Sequence, residues 1–252
     1  MRRMTLIRSA VAVSLFLPVA AFAAMKITEQ PDGVWVTHGD DLYAAGGQVT
    51  VTEAVRGDAF VAGGNVNQKA TIGGDFFAAG GTVIVDGAVR SDVRVTGGSV
   101  FLNGNVTGDV IVTGGNVTVG DKAVIGGDVF IAGGVVNMDG SVRGELRIRG
   151  GDVSVGGSVT GDTDIRAERL TLTGQLNRGA ILSAEQWFLG DRARISGALS
   201  YWQSAGERDF KNIALGKVTY DPALGYAERS PHAPLIAVGA IIAALSLYSL
   251  LS

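Results

Sequence analysis

Apolar positions recur along this chain with a fixed spacing, and the spacing is not that of a helix. The count starts from an acidic residue followed five positions later by a glycine pair. Such acids stand at Asp41, Asp58, Asp75, Asp92, Asp109, Asp128 and Glu145, and the pairs run from Gly46-Gly47 to Gly150-Gly151. Successive acids are 17 residues apart except for one interval of 19, which a two-residue insertion around Asp121-Lys122 accounts for. Asp162 continues the series with its glycine pair replaced by Ala167-Glu168, and the repeat then fades. Self-similarity at a fixed period marks a repeat architecture and outranks local propensity.

The columns of the repeat say which architecture. Eight residues after the acids stand Val49, Val66, Val83, Val100, Val117, Val136 and Val153, then Leu170 and Trp187. Three residues before the acids stand Val55, Ile72, Val89, Val106, Ile125, Val142 and Val159, then Leu176. The first and third residues after each acid are again apolar or small, with polar residues between them, which is the period-two pattern of strands with one buried face. The expectation is an all-β fold, a single-stranded β-helix of about nine coils from Asp41 to about Ser200, with three strand stubs per coil. Stacked at about 4.8 Å per coil, it makes a rod on the order of 40 Å long. Glycine is expected at the corners for positive φ and for close approach. No single coil can hold such a core alone, and the ends need covering. Residues 24–40, with Trp35, are read as an N-terminal cap to which His38 belongs, and residues 201–232 as an irregular C-terminal cap and linker.

Both ends of the chain read as addresses. Arg2, Arg3 and Arg8 precede a short apolar run, and Ala21-Phe22-Ala23 ends it with the small-x-small pattern of a signal-peptidase site. Residues 1–23 are therefore a predicted signal peptide, cleaved between Ala23 and Ala24. Residues 233–252 carry no charge and are long enough for one membrane-spanning helix. Together they predict an exported chain anchored in the cytoplasmic membrane, with the β-helix at residues 41–200 on the periplasmic or extracellular side. Composition agrees with export. The chain has no cysteine, and loss of the leader moves its net charge from −3 to −6, which gives no reason to expect a nucleic-acid partner.

Segments such as Gly108 to Gly120 and Gly127 to Gly140, of the form GDVxVxGGxVxVxGxVxG, resemble the bactofilins, polymer-forming bacterial cytoskeletal proteins. They resemble more closely the exported, membrane-anchored relatives of that family, as do the later pieces SGALSYW and GKVTYDP. The resemblance covers roughly residues 40–222. It implies a right-handed triangular β-helix, self-association end to end without nucleotide, and no catalytic role. The leader and tail set this chain apart from cytoplasmic bactofilins and favour a scaffold on the outer side of the membrane.

Two features are candidates for function. The acid column is read as carboxylates bonded to the amides of their own corners, with Arg56, Arg90 and Arg143 relieving their repulsion. A row of weak divalent-cation sites is the sharper alternative, but the dedicated calcium-repeat pattern is absent and no metal or cofactor is assigned. Two residues after the acids, Tyr43, Phe60, Phe77, Ile111 and Phe130 point outward by alternation. They form a possible contact stripe for another solenoid, a partner or the membrane surface, or they pack among themselves. An enzyme is disfavoured, since neither a hexapeptide acyltransferase nor a polysaccharide-active enzyme matches the pattern. The period does not divide into sixes, the only histidines, His38 and His232, lie outside the regular coils, and no catalytic residue or small-molecule substrate is identified. A surface adhesin or stalk is the alternative to a self-assembling scaffold.

Overall fold

Inward-facing positions stand one, three, eight and ten residues after each acid. The odd step between the third and the eighth inverts the alternation, so the strand must turn at the glycine pair. The computed structural model of the chain describes residues 26–30, 33–210 and 212–225. It is all-β, a solenoid of about ten turns. Each turn contributes one long strand that rounds the glycine corner: β3 (Asp41–Val51), β4 (Ala59–Gln68), β5 (Phe76–Val85), β6 (Val93–Leu102), β7 (Val110–Val119), β9 (Val129–Met138), β11 (Leu146–Val155), β13 (Thr163–Leu172) and β15 (Ala180–Leu189). Two strand stubs per turn were expected there, and one continuous strand of ten or eleven residues makes both walls.

The third wall is a row of parallel bridges. Val55, Ile72, Val89, Val106 and Ile125 pair in succession, then come two-residue strands: β8 (Val124–Ile125), β10 (Ser141–Val142), β12 (Ser158–Val159), β14 (Gln175–Leu176) and β16 (Arg194–Ile195). Ile195 pairs with Ala214, the tenth member. The register holds past Ser200, since β17 (Leu199–Trp202) pairs with β15 and β18 (Val218–Tyr220) pairs with β17. The expected irregular cap therefore begins with two more strands of the solenoid.

Two further intervals of 19 residues, from Ala180 to its partner Leu199 and from Leu199 to its partner Val218, lie beyond the acid-and-glycine count. The first two insertions are alike. Gly120-Asp121-Lys122-Ala123 and Gly190-Asp191-Arg192-Ala193 occupy the same corner, and in each the alanine N–H donates to the glycine carbonyl at 3.0 Å.

The core is the stacked columns themselves, and it is packed by volume. Phe76 is fully buried in the row Leu42–Ala59–Phe76–Val93, with alanine beside it at Ala59 and at Ala78. In another row Gln68 stands between Val51 and Val85, fully buried. Its Oε1 accepts the Gly87 N–H at 3.0 Å, and its Nε2 donates to the Ala70 carbonyl, so the buried amide is paired.

The glycine corners do not work through positive φ. Among the described residues only Gly39 and Gly206 have it. What the corners need is room: a Cβ on Gly80 would stand 2.7 Å from the carbonyl oxygen of Gly63 in the preceding turn.

The two ends differ. At the start, β1 (Lys26–Gln30) and β2 (Gly33–His38) form an antiparallel hairpin that pairs with residues 41–46 of β3. Trp35 packs against the core, as expected of a cap, and His38 is exposed opposite Asp41. Residues Gln48–Val51 of β3 pair only with β4, so half of the first strand has an open edge among the described residues. At the other end Trp187, Tyr201, Phe210 and Tyr220 pack edge to face, with ring centroids 4.7–6.0 Å apart. Ser204 Oγ and the Arg208 guanidinium take the carbonyls of Glu185 and Trp187, the acceptors that another strand would use. The cleavage site at Ala23 and Ala24, the histidine at 232 and the apolar segment 233–252 lie outside the described residues. Among those described, no helix is long and apolar enough to cross a membrane.

Candidate functional site

The acid column lies on the corner that enters the long strand, and its bonding differs from the expectation. Each carboxylate reaches across to the next turn instead of serving its own corner. Asp41 Oδ1 accepts the Asp58 N–H at 2.8 Å, Asp58 that of Asp75 at 2.7 Å, and Asp75 that of Asp92 at 3.0 Å. The ladder continues through Asp109, Asp128 and Glu145, each donating to the acid before it at 2.8 Å. Glu145 carries one methylene more and turns away to Arg147, at 2.8 Å. Asp162 resumes the pattern with the Gly179 N–H at 3.0 Å.

At Gly57, Gly74, Gly108, Gly127 and Gly144, each just before an acid, a Cβ would fall on the carboxylate oxygen of the preceding turn. Ser91 fills the same position before Asp92 and bonds Asp75 with its hydroxyl, so the glycine favours the ladder without being a condition of it.

The arginines that neutralise the ladder are not those expected. Arg56 reaches Asp40 at 3.8 Å, while Arg90 and Arg143 reach no carboxylate among the described residues. They directly follow Val89 and Val142 of the short third wall. Arg94 does the work from the first wall: Nη1 lies 3.0 Å from Asp75 Oδ2 and Nη2 2.9 Å from Asp92 Oδ2. Burial pushes the Asp75 carboxyl up. The Ser91 hydroxyl, the Asp92 amide and Arg94 outweigh it and hold the group below the ordinary carboxylate range. Asp58 goes the other way. Burial raises it, the Asp75 amide opposes, and the charges of Asp75 and Asp41 add to the rise. Burial, then Asp41 and Asp58, also raise the Tyr43 phenol.

The stripe residues share one outward row, but they do not form one stripe. Tyr43, Phe60 and Phe77 stack face to face at 5.0 and 4.7 Å, with interplanar angles of 5° and 3°. The stack ends on Arg94, whose guanidinium carbon sits 5.3 Å from the Phe77 centroid. Ile111 and Phe130 follow as neighbours beyond Arg94, and Arg147 ends that pair. Phe77 is buried and the others are half-buried. The row spends much of its apolar surface on itself, each ring using its faces on the next.

Among the described residues no group of three or more histidine and acidic side chains has the arrangement of a metal site. The site is therefore a ladder of hydrogen-bonded carboxylates, clamped once by arginine, beside a short aromatic stack. That arrangement stiffens the corner and presents oriented edges. Comparison with protein-family models, with curated proteins and with solved structures yields no match.

Proposed function

We propose that this chain is a non-enzymatic scaffold of the bacterial cell envelope. Its N-terminal leader exports it, its C-terminal apolar segment holds it in the cytoplasmic membrane with the solenoid on the outer side, and it self-associates. The solenoid is then the right-handed triangular β-helix that the bactofilin resemblance implies, in keeping with the general handedness of parallel crossover connections.

The observation that carries this reading is the uniformity of the rod. Ten turns run without any insertion longer than two residues, so the described chain is spent on length and stiffness. The asymmetry of the ends supports the orientation. The aromatic seal lies on the side that leads to the apolar tail, and the edge Gln48–Val51, open among the described residues, lies at the far end. An unpaired strand edge invites pairing with another chain. The half-buried row of Tyr43 and Phe60 beside it adds lateral apolar surface.

The test is fractionation of cells expressing the full chain, followed by electron microscopy of the detergent-purified protein across concentration. The expected result is a membrane-bound chain lacking residues 1–23, digested by protease added from the outer side, and assemblies that grow with concentration. A chain that keeps its leader and stays soluble inside the cell would overturn the export reading. A monomer at every concentration would overturn self-association.

A further inference from the structure

We infer that the second wall of the first six turns binds an extended, uncharged glycan chain. This wall is distinct from the carboxylate ladder and the aromatic stack, and the inference does not need the rod to self-associate.

The second wall consists of the segments that follow each glycine corner: residues 46–51, 63–68, 80–85, 97–102, 114–119 and 133–138. None of their residues is Asp, Glu, Lys or Arg, in a chain of which 18% is charged. The acid ladder of the same turns lies on the corner, and the first wall carries one charge there, Arg94. The first wall spends its outward row on the aromatic stack, whereas the second presents polar groups.

Strand register places two outward rows on this wall. One reads Gln48, Asn65, Thr82, Ser99 and Asn116 and ends on the exposed Val135, and the other centres on Ile84 and Phe101 between Asn67 and Thr118. The polar members of these rows make no side-chain hydrogen bond to any described residue. Elsewhere the solenoid does use its asparagines: Asn103 donates to Asp86 at 2.8 Å and Asn177 to Ser158 at 3.1 Å. Asn67 Oδ1 has no hydrogen-bond partner among the described residues, although it is shielded from solvent and would be reached only by a shift of its side chain. The wall thus offers a grid of free amides and hydroxyls, both donors and acceptors, without a single fixed charge.

Phe101 stands within this grid, 38% exposed. Tyr43, Phe60 and Phe77 use their faces on one another, whereas the Phe101 ring has no aromatic or cationic neighbour among the described residues. Its face is free to lie against an apolar face of a ligand. Ile84, in the next turn, extends that surface.

The dimensions choose among occupants. Six strands span about 24 Å along the rod, and the two outward rows are about 7 Å apart. The strip covers on the order of 300 Å², well short of the roughly 800 Å² per partner of a stable protein interface. A peptide would add to a strand edge, and this strip is a sheet face. Nucleic acid and acidic polymers need cations, which the strip does not have. A neutral sugar polymer needs what it has: alternating donors and acceptors at a regular spacing, and an aromatic face for the axial C–H groups. The strip ends at the seventh and eighth turns, where Arg169 and Asp152 pair across the same wall.

The experiment is co-sedimentation of the full chain, purified in detergent, with insoluble chitin and with insoluble cellulose. Retention on either supports the inference, and the difference between them reads whether the acetamido group is recognised. Retention is expected to change little between low and high salt, because no charge takes part. Phe101→Ala, and separately Asn65→Ala with Asn116→Ala, should each weaken retention by about tenfold, the loss expected for a ring face or a pair of hydrogen bonds. Phe60→Ser, on the first wall, should leave retention intact. All of these side chains are at least partly exposed, and an unchanged melting curve confirms that each variant folds. Absence of retention on both polymers overturns the inference, as does retention that survives Phe101→Ala and falls with Phe60→Ser. A fall in oligomer mass caused by Phe101→Ala would also overturn it, by showing that the wall joins copies of the chain. None of these results touches export or membrane anchoring, which the fractionation reads separately.

Discussion

Arg94→Met removes the arginine that bridges two carboxylates of the ladder while keeping a side chain of similar length over Phe77. The guanidinium makes two charge-assisted hydrogen bonds, at 3.0 Å to Asp75 and 2.9 Å to Asp92, and its side chain is 19% exposed. Each such bond contributes about 1.5–3 kcal/mol when well shielded. The carboxylates are about a quarter exposed, so water replaces part of what is lost. The contact with the Phe77 ring adds about 0.5–1 kcal/mol, some of which the thioether recovers. The expected net loss is about 2 kcal/mol at neutral pH.

The pH dependence identifies the cause. Asp75 is held below its ordinary value in the folded chain, so its contribution is complete above the unfolded pKa of about 3.9 and is lost as pH falls through the folded value. In the variant Asp58, Asp75 and Asp92 are left as neighbouring carboxylates without a counter-ion, and acid relieves them. The difference between wild type and variant should therefore be smaller near pH 3 than at neutral pH, and should shrink further as pH falls through the folded value of Asp75. A solenoid need not unfold in one step. The assay is accordingly native-state hydrogen exchange at the amides of Asp92 and Asp109, with urea unfolding alongside. A loss that is equal at both pH values would refute the electrostatic reasoning and assign the effect to packing. No loss at either would show the clamp to be solvated.

Two further outcomes follow from packing. Phe76→Ala should cost about 3–5 kcal/mol, because neither Ala59 nor Ala78 can fill the space left by the ring. The pair Ala59→Val with Phe76→Leu should recover most of this by restoring volume, and urea midpoints of the three proteins check it. Gly80→Ala should destabilise by about 1–3 kcal/mol, since its Cβ meets the Gly63 carbonyl. Gly47→Ala at the equivalent corner of the first turn meets nothing within 4 Å and should change stability by less than about 0.5 kcal/mol. Equal melting points for the two glycine variants would contradict the close-approach account.

The fold was legible because one period controls everything. The valine columns that define the coils are the rows that pair, from Val49↔Val66 to Val136↔Val153. Legibility failed where function depends on the third dimension. The outward row was read from its apolar members, so the pattern hid Arg94 and Arg147, which belong to the same row and break it. The acids were assigned to their own corners because a local turn is the commonest partner of an aspartate. A stack at about 4.8 Å brings the next turn's amide just as near, and a short aspartate reaches it where Glu145 does not. Trp187 and Tyr201 carried a signal, since each replaces a smaller residue in an inward column, and this marks the sealed end.

The placement of the first two insertions ties the fold to its surfaces. Both lengthen the chain by two residues, and both do so as Gly-Asp-basic-Ala turns at the corner leading into the third wall. Ile125 and Ile195 keep their places in the inward row on the far side of each turn. A one-residue slip would reverse every side chain of a strand, and through the nine long strands the extra length falls only where no wall has yet begun; the third, between Leu199 and Val218, comes after the last of them. The two long walls consequently keep constant length for nine strands, and a row on either wall repeats at the strand spacing without a gap. A regular grid of that kind is of little use to a catalytic site, which needs a few groups converging on one point. It suits a partner that is itself periodic, which both proposals above supply: another copy of the rod in one, a polymer of repeating sugars in the other.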